Sequence, residues 1–478
     1  MTEKQRYDYI EKFIVDAVLT EPMHVGAADN GNNDILIHPV DDVPFIQASG
    51  ITGVFRSYIT ERYGEKKANE LFGGPKVQNA DSKSRGQQEP GITDAGSRIK
   101  ITDGVFGNNS GIELRPRVSI NPETGSVAES KIKGSGKNAG HKFEMTYIGA
   151  GASFSFSIYA YGKRPSGENK SDNYKYILEM LEAAENGLIQ FGGQKSNGCG
   201  YVHVNKVLYK AFEMRNYRDL KQWMREETLS AADYIPIKGL KKGNHKPAFT
   251  ITVKGRTEGA ILVKAIAVPE VGKDAPKSVN IKNAKLDYIV PASSFKGAVR
   301  NQMELIVENL KRQGDADVDD LIWNSFGGFQ NPEDDQAKQK TGNMRFFDTV
   351  IGSREENDRA PLSHRIHIDK FTGGVFNGGL FSEKNAGGKI TLNINILDNG
   401  EPEKTCAVAA LALRNLANGL FNIGSGYSIG KGFIKVSTIS IRSSDKEAIM
   451  DFNTNKVLDK DKLLRNCLLS LKRKEEAQ

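Results

Sequence analysis

The residues best suited to chemistry fall into matched sets. The loop GGQKSNGCG holds Gly192, Lys195, Gly198 and Gly200, and the loop GSGYSIGKG holds Gly424, Gly426, Gly430, Lys431 and Gly432. Glycine at this density lets the backbone approach a bulky anion and offer its N–H groups to it, and the lysines add charge. Each loop follows a helical pattern and precedes a strand pattern. P-loops and dinucleotide fingerprints have the opposite order, so neither is indicated. A single such loop also reads as a tight helix-to-strand turn. A second set lies in QASGITGVFR, with Ser49 and Arg56, and in VPASSFKGAVR, with Ser293, Lys296 and Arg300. Both serines sit where a helix N-cap belongs. The N–H groups of a helix start bind phosphate, and arginine-to-phosphate contacts position a nucleic-acid backbone without reading its sequence. The plainer reading is a capped helix with solvated basic residues.

These sets recur because the chain is duplicated. TEPMHVGAAD is matched by TEGAILVKAI, NELFGG by WNSFGG, SRIKITDGVF by NMRFFDTVI, and RPRVSINPETG by SHRIHIDKFTG. The matches pair Phe72 with Phe326, Asp103 with Asp348, and Arg117 with Arg365. Blocks in one order at a nearly constant offset mark an internal repeat. The repeat divides the chain into a first domain (1–207), a connector (208–248), a second domain (249–441) and a charged tail (442–478).

Each repeat opens on a β-like run, IVDAVLT or FTITVKG, and the serine block then starts a helix. SFSFSIYAY and KITLNINIL alternate strictly, as half-buried strands do. YILEMLEAAENGL and CAVAALALRNLANGL have helical periodicity and end in Asn-Gly, a C-cap signal. A last strand follows, GYVHVNKV or GFIKVSTI. This order predicts an α+β fold of two tandem ferredoxin-like (RRM-like) domains. Long Gly- and Lys-rich excursions at 104–145 and 350–388 read as inserted thumbs. The connector reads as a helix followed by a basic linker. The tail reads as a solvated end with a short helix around LDKDKLLRNCLLSLKRK.

At 478 residues, 38% hydrophobic and 26% charged, the chain can bury real cores. A net charge of +7 fits a polyanionic partner, although many enzymes are as basic. Cys199, Cys406 and Cys467 lack CxxC spacing, so neither a zinc site nor a disulfide framework is indicated. No apolar run of about 18 residues and no signal peptide is present, which points to a cytoplasmic protein with no membrane partner.

YIVPASSFKGAVR resembles the helix-opening block of the RAMP superfamily, the repeat-associated proteins of CRISPR systems. GSGYSIGKGFIKV is similar to its C-terminal glycine-rich loop, and HRIHIDKFTGGVFNGGLF to the thumb entry of backbone subunits in type III effector complexes. The first repeat matches more loosely, because QASGITGVFR lacks the proline and the lysine. The tandem arrangement resembles the double-backbone fusion subunits of type III-D-like systems.

The resemblance implies a role. Such subunits line a CRISPR guide RNA beside other subunits of the effector complex, and their thumbs kink the guide–target duplex. Arg117 and Arg365 are then candidates for guide-phosphate contact. In the family, an aspartate between the first strand and the helix-opening block cuts target single-stranded RNA with Mg²⁺ or another divalent cation. Asp34 matches best in the first repeat, with Asp29 second, and Asp274 in the second repeat. Distorting a strand to align a 2′-hydroxyl for in-line attack supplies much of such a rate, and a carboxylate binds metal or moves a proton. As plain residues, both aspartates also read as solvated turn positions. Two rival roles remain: a scaffold that binds guide RNA without cutting, and a guide-precursor-processing endoribonuclease with His24 as general base.

Overall fold

The computed structural model describes residues 7–26, 35–74, 96–108, 110–118, 129–131, 138–140, 142–163, 170–241, 247–265, 278–314, 316–329 and 339–472. In the first unit, β1 (Tyr9–Leu19) buries Phe13, Val15, Ala17 and Leu19 at every second position. That period of two lays one strand face on the helices. Helix α1 (Ala48–Tyr63) answers with Ile51, Phe55 and Ile59, spaced four apart on one stripe. The chain continues through β2 (Ile99–Ile101), a hairpin of β3 (Ile112–Val118) and β4 (Lys142–Ile148), β5 (Ser153–Gly162), α2 (Asp172–Glu185) and β6 (Val202–Glu213). Ser171 caps α2 by accepting from the N–H of Asn173. The antiparallel order β6-β1-β5-β2 is that of a ferredoxin-like unit.

The second unit repeats the plan. It runs β7 (Phe249–Glu258), α3 (Ala292–Gln313), β8 (Met344–Phe346), a hairpin of β9 (Ser363–Ile368) and β10 (Val375–Lys384), β11 (Lys389–Ile396), α4 (Pro402–Ala417) and β12 (Phe433–Ser443). Its order is β12-β7-β11-β8. Even an irregularity is copied: the register shifts between Asp16 and Ala17 in one first strand, and between Lys254 and Gly255 in the other. Each unit has its own core, one around Phe13, Phe55 and Phe191, the other around Phe295, Phe346 and Leu413. The chain is thus an α+β protein of two ferredoxin-like domains.

Two segments depart from the expectation. β6 continues to Glu213, and only Tyr217–Trp223 of the connector is α-helical. The reason is packing on the far face of the first sheet, where Trp223 lies edge-on to Phe212 and Tyr159. The tail is not a solvated end. β13 (Lys446–Asp451) and β14 (Lys456–Leu458) extend the second sheet beyond β12. Helix α5 (Leu463–Leu469) buries Leu463, Leu464 and Cys467 in the second core. Among the described residues, no helix is long and apolar enough to cross a membrane.

Candidate nucleic-acid interface

The helix starts do not use the serines as caps. α1 begins after Gln47 and α3 after Pro291, so Ser49 and Ser293 lie already inside the first turn. The exposed first N–H groups are taken by aspartates from the loop after β2 or β8. Ala48 N–H donates to Asp103 Oδ1 at 2.6 Å, and Ala292 N–H to Asp348 Oδ1 at 2.8 Å. A carboxylate here also meets the positive end of the helix dipole. Arg56 turns to the next helix end, where its Nη1 donates to the Gly73 carbonyl at 2.6 Å and its Nη2 to Asn69. Arg300, its counterpart, pairs with Glu304 at 2.7 Å and lies over the Phe326 ring.

The glycine loops pack inward first. Gly200 and Gly432 have φ of 83° and 81°, and a Cβ on either would fall 1.9 and 2.2 Å from the carbonyls of Phe191 and Ile423. Gly192 and Gly424 abut the carbonyls of His24 and Leu262 in the same way. Aligned through these glycines, the two lysines are not equivalent. Lys195 stands where the second loop has Tyr427, and Lys431 where the first has Cys199. Cys199 packs with Met145 and Tyr147. Lys431 is buried on Glu383 and donates to Asn385 at 2.9 Å. A mostly apolar trio in one repeat is replaced in the other by an ion pair and an asparagine. Arg117 and Arg365 reach these trios from equivalent hairpin positions. Arg117 donates to the Tyr147 hydroxyl and to Gln194 Oε1 at 2.9 Å, whereas Arg365 pairs with Glu383.

The first loop lies against the second repeat and makes a seam. Gly198 has φ of 70°, and a Cβ there would sit 2.1 Å from the Phe346 carbonyl. Ser196 Oγ accepts from Lys296 Nζ at 2.7 Å, Gln190 Oε1 accepts from Arg345 Nε at 3.1 Å, and Tyr201 stacks on Phe347. Arg115 at the base of the first hairpin bridges Glu113 to Asp348, at 2.5 Å from the latter. Asp348 thus caps a helix of one repeat and anchors an arginine of the other. Beside it, burial reinforced by the Asp348 charge pushes the Glu21 carboxyl up to about 8.

The seam gathers cations. Arg117 and Lys195 come from the first repeat, and Lys296, Arg300 and Arg345 from the second. Burial, then the neighbouring Arg300, Arg345 and Arg117, brings Lys296 down to about 8. Burial and Arg345 lower Lys195 as well. Among the described residues, only Arg300 of the five has a carboxylate partner. Arg117 Nε is buried with no hydrogen-bond acceptor. Crowded cations held below their usual basicity lower their energy by taking a phosphate between them. Arg345 escaped the sequence reading because it sits in an apolar-looking run, NMRFFDTVI.

The first hairpin meets this seam through Arg115 and Arg117, and both hairpins keep apolar side chains outward, among them Leu114 in the first and Ile366, Phe371 and Phe376 in the second; Phe371 is 90% exposed. His367 stacks on Phe376. Asp34 and Asp274 both lie outside the described residues, as does Asp29. Of the described residues that flank them in sequence, Gly26 bridges to Ile35 on either side of Asp29 and Asp34, and Lys264–Ala265 pairs with Val279 and Asn280 on either side of Asp274. The two flanking pairs occupy the same place in the duplicated fold, each following the residue that abuts its repeat's glycine loop. Among the described residues, no three His, Cys, Asp or Glu side chains group as a metal site. His24 is buried under Gly26, and its ring Nδ1 donates to the Thr146 carbonyl at 2.8 Å.

A model of the RAMP superfamily matches residues 16–203 and 273–435. No curated protein matches the chain. Among solved structures, the chain is similar at 19% identity to a chain in the cryo-EM structure of the Type III-B Cmr-beta bound to cognate target RNA. The likeness covers 43% of this chain and 61% of that one, with a TM-score of 0.29. The two family-matched regions contain both helix starts, both glycine loops and the cationic seam, and on that ground the chain belongs to the RAMP superfamily.

Proposed function

We propose that this protein is a guide-RNA-binding backbone subunit of a type III CRISPR effector complex, and that it positions and cuts target single-stranded RNA. The seam carries the proposal: four cations from two repeats converge there with no carboxylate partner among the described residues. A guide backbone running along the chain would place a phosphate at the seam and favour the charged forms of Lys296 and Lys195. Ser49 and Ser293, in the first turns of α1 and α3, would offer their hydroxyls to a passing phosphate, because the first N–H groups there are taken by Asp103 and Asp348. The exposed phenylalanines of the second hairpin offer bases a stacking surface. A cytoplasmic location fits three cysteines that are all free thiols.

Asp34 and Asp274 are the candidates for cutting. They would hold Mg²⁺ or another divalent cation, which when bound supplies Lewis-acid stabilisation of the phosphate. The test is target-RNA cleavage by the assembled complex in Mg²⁺, comparing wild type with Asp34→Ala, Asp274→Ala and the double variant. Each single change is expected to remove its own cut and leave guide binding intact. An unchanged cut pattern in all three would leave the non-catalytic scaffold as the correct role. Processing of the guide precursor by His24 is disfavoured by the burial of that ring. Recovery of the protein from its host without repeat-derived RNA would overturn the whole reading.

A further inference from the structure

The duplication allows the inner seam to be compared with the faces that point outward. In the seam, the loop side of the first repeat meets the helix-start side of the second. Among the described residues, the loop side of the second repeat and the helix-start side of the first have no counterpart of these seam contacts. Gly198 and Asn197 are buried in the seam, whereas their counterparts Gly430 and Ile429 are exposed, and a Cβ on Gly430 would meet nothing within 4 Å. Tyr427 beside them is 57% exposed.

If a second copy docked through these faces as the two repeats do, its contacts would be poor. The ion pair Arg115–Asp348 becomes Ser363 opposite Asp103. The stack of Tyr201 on Phe347 becomes Phe433 against Thr102. The Ser196–Lys296 hydrogen bond becomes Ser428 against Thr52. One charged pair, one aromatic stack and one charge-assisted hydrogen bond are lost together. Asp103 would enter the interface uncompensated, because among the described residues it has no cation partner; its Oδ1 accepts only from Ala48 N–H. Burying an unpaired carboxylate is a strong barrier to association.

We propose that the helix-start face of the first repeat receives a different protein chain, one that brings an arginine or lysine from a hairpin base to Asp103, and that this protein does not polymerise with itself. The unpaired Asp103, standing where Asp348 binds Arg115, defines the chemistry of that neighbour. The proposal is independent of RNA binding.

The test transplants the inner seam to the outer faces of the full chain. Wild type is expected to remain monomeric by mass photometry across the micromolar range. The triple variant Thr52→Lys, Thr102→Phe, Ser363→Arg is expected to form head-to-tail oligomers, at least doubling the mean mass. Adding Asp103→Asn to it should return the monomer. Thermal melting confirms folding, and Ser363→Arg alone serves if the triple variant does not fold, with weaker association expected. Head-to-tail growth of wild type, or a folded arginine variant that stays monomeric, overturns the proposal.

Discussion

Lys296 shows how the seam converts crowding into affinity. Its surroundings hold it at about 8, with burial the main cause and the neighbouring arginines next. A bound phosphate favours the charged form, so binding must draw the proton back. Affinity for single-stranded RNA should therefore fall as pH rises through about 8, severalfold between about 7 and about 9. Lys296→Arg keeps its charge across this range and should flatten the profile. Fluorescence anisotropy at constant salt reads both, and identical profiles would remove Lys296 from the binding surface. Lys296 was legible in the sequence because FKGAVR announces a helix start. Arg345 was not, because nothing in a short apolar strand indicates that its arginine crosses to another domain. The pairing of Asp103 with Asp348 was visible in the repeat, but not what they do. That depends on a hydrogen bond between residues far apart in the chain.

At the scale of elements, the helix starts separate two readings of the same motif. The serines carry the sequence signal, yet the aspartates satisfy the first N–H groups. Ser49→Ala is expected to change stability by less than about 0.5 kcal/mol, and Asp103→Ala to cost about 1 kcal/mol, the usual worth of a cap. Urea unfolding decides between them; equal effects, or a larger one at the serine, would return the cap to Ser49. The strands that alternate cleanly, such as SFSFSIYAY and KITLNINIL, were readable because both faces of the pattern are regular. KEAIMD was hidden because it buries only Ala448 and Met450 amid charges, and its place beyond β12 comes from pairing with that strand. The connector departs from its helical pattern for a related reason: Phe212 and Trp223 meet on the far face of the sheet, and no local period records that.

For the whole molecule, the account rests on two ferredoxin-like units locked so that their basic residues meet in one seam. The Arg115–Asp348 bridge, the Gly198 contact and the Tyr201–Phe347 stack set that juxtaposition, and neither repeat alone supplies the full cation set. The measurement that tests this most directly is ultraviolet cross-linking of the complex isolated from its host, with the RNA sequenced and the cross-linked peptides mapped by mass spectrometry. The account predicts repeat-derived guide RNA attached to the peptides carrying Arg117, Lys195, Lys296 and Arg345. Cross-links confined to the far end of the second sheet, around β14 and α5, or an absence of guide RNA, would contradict it.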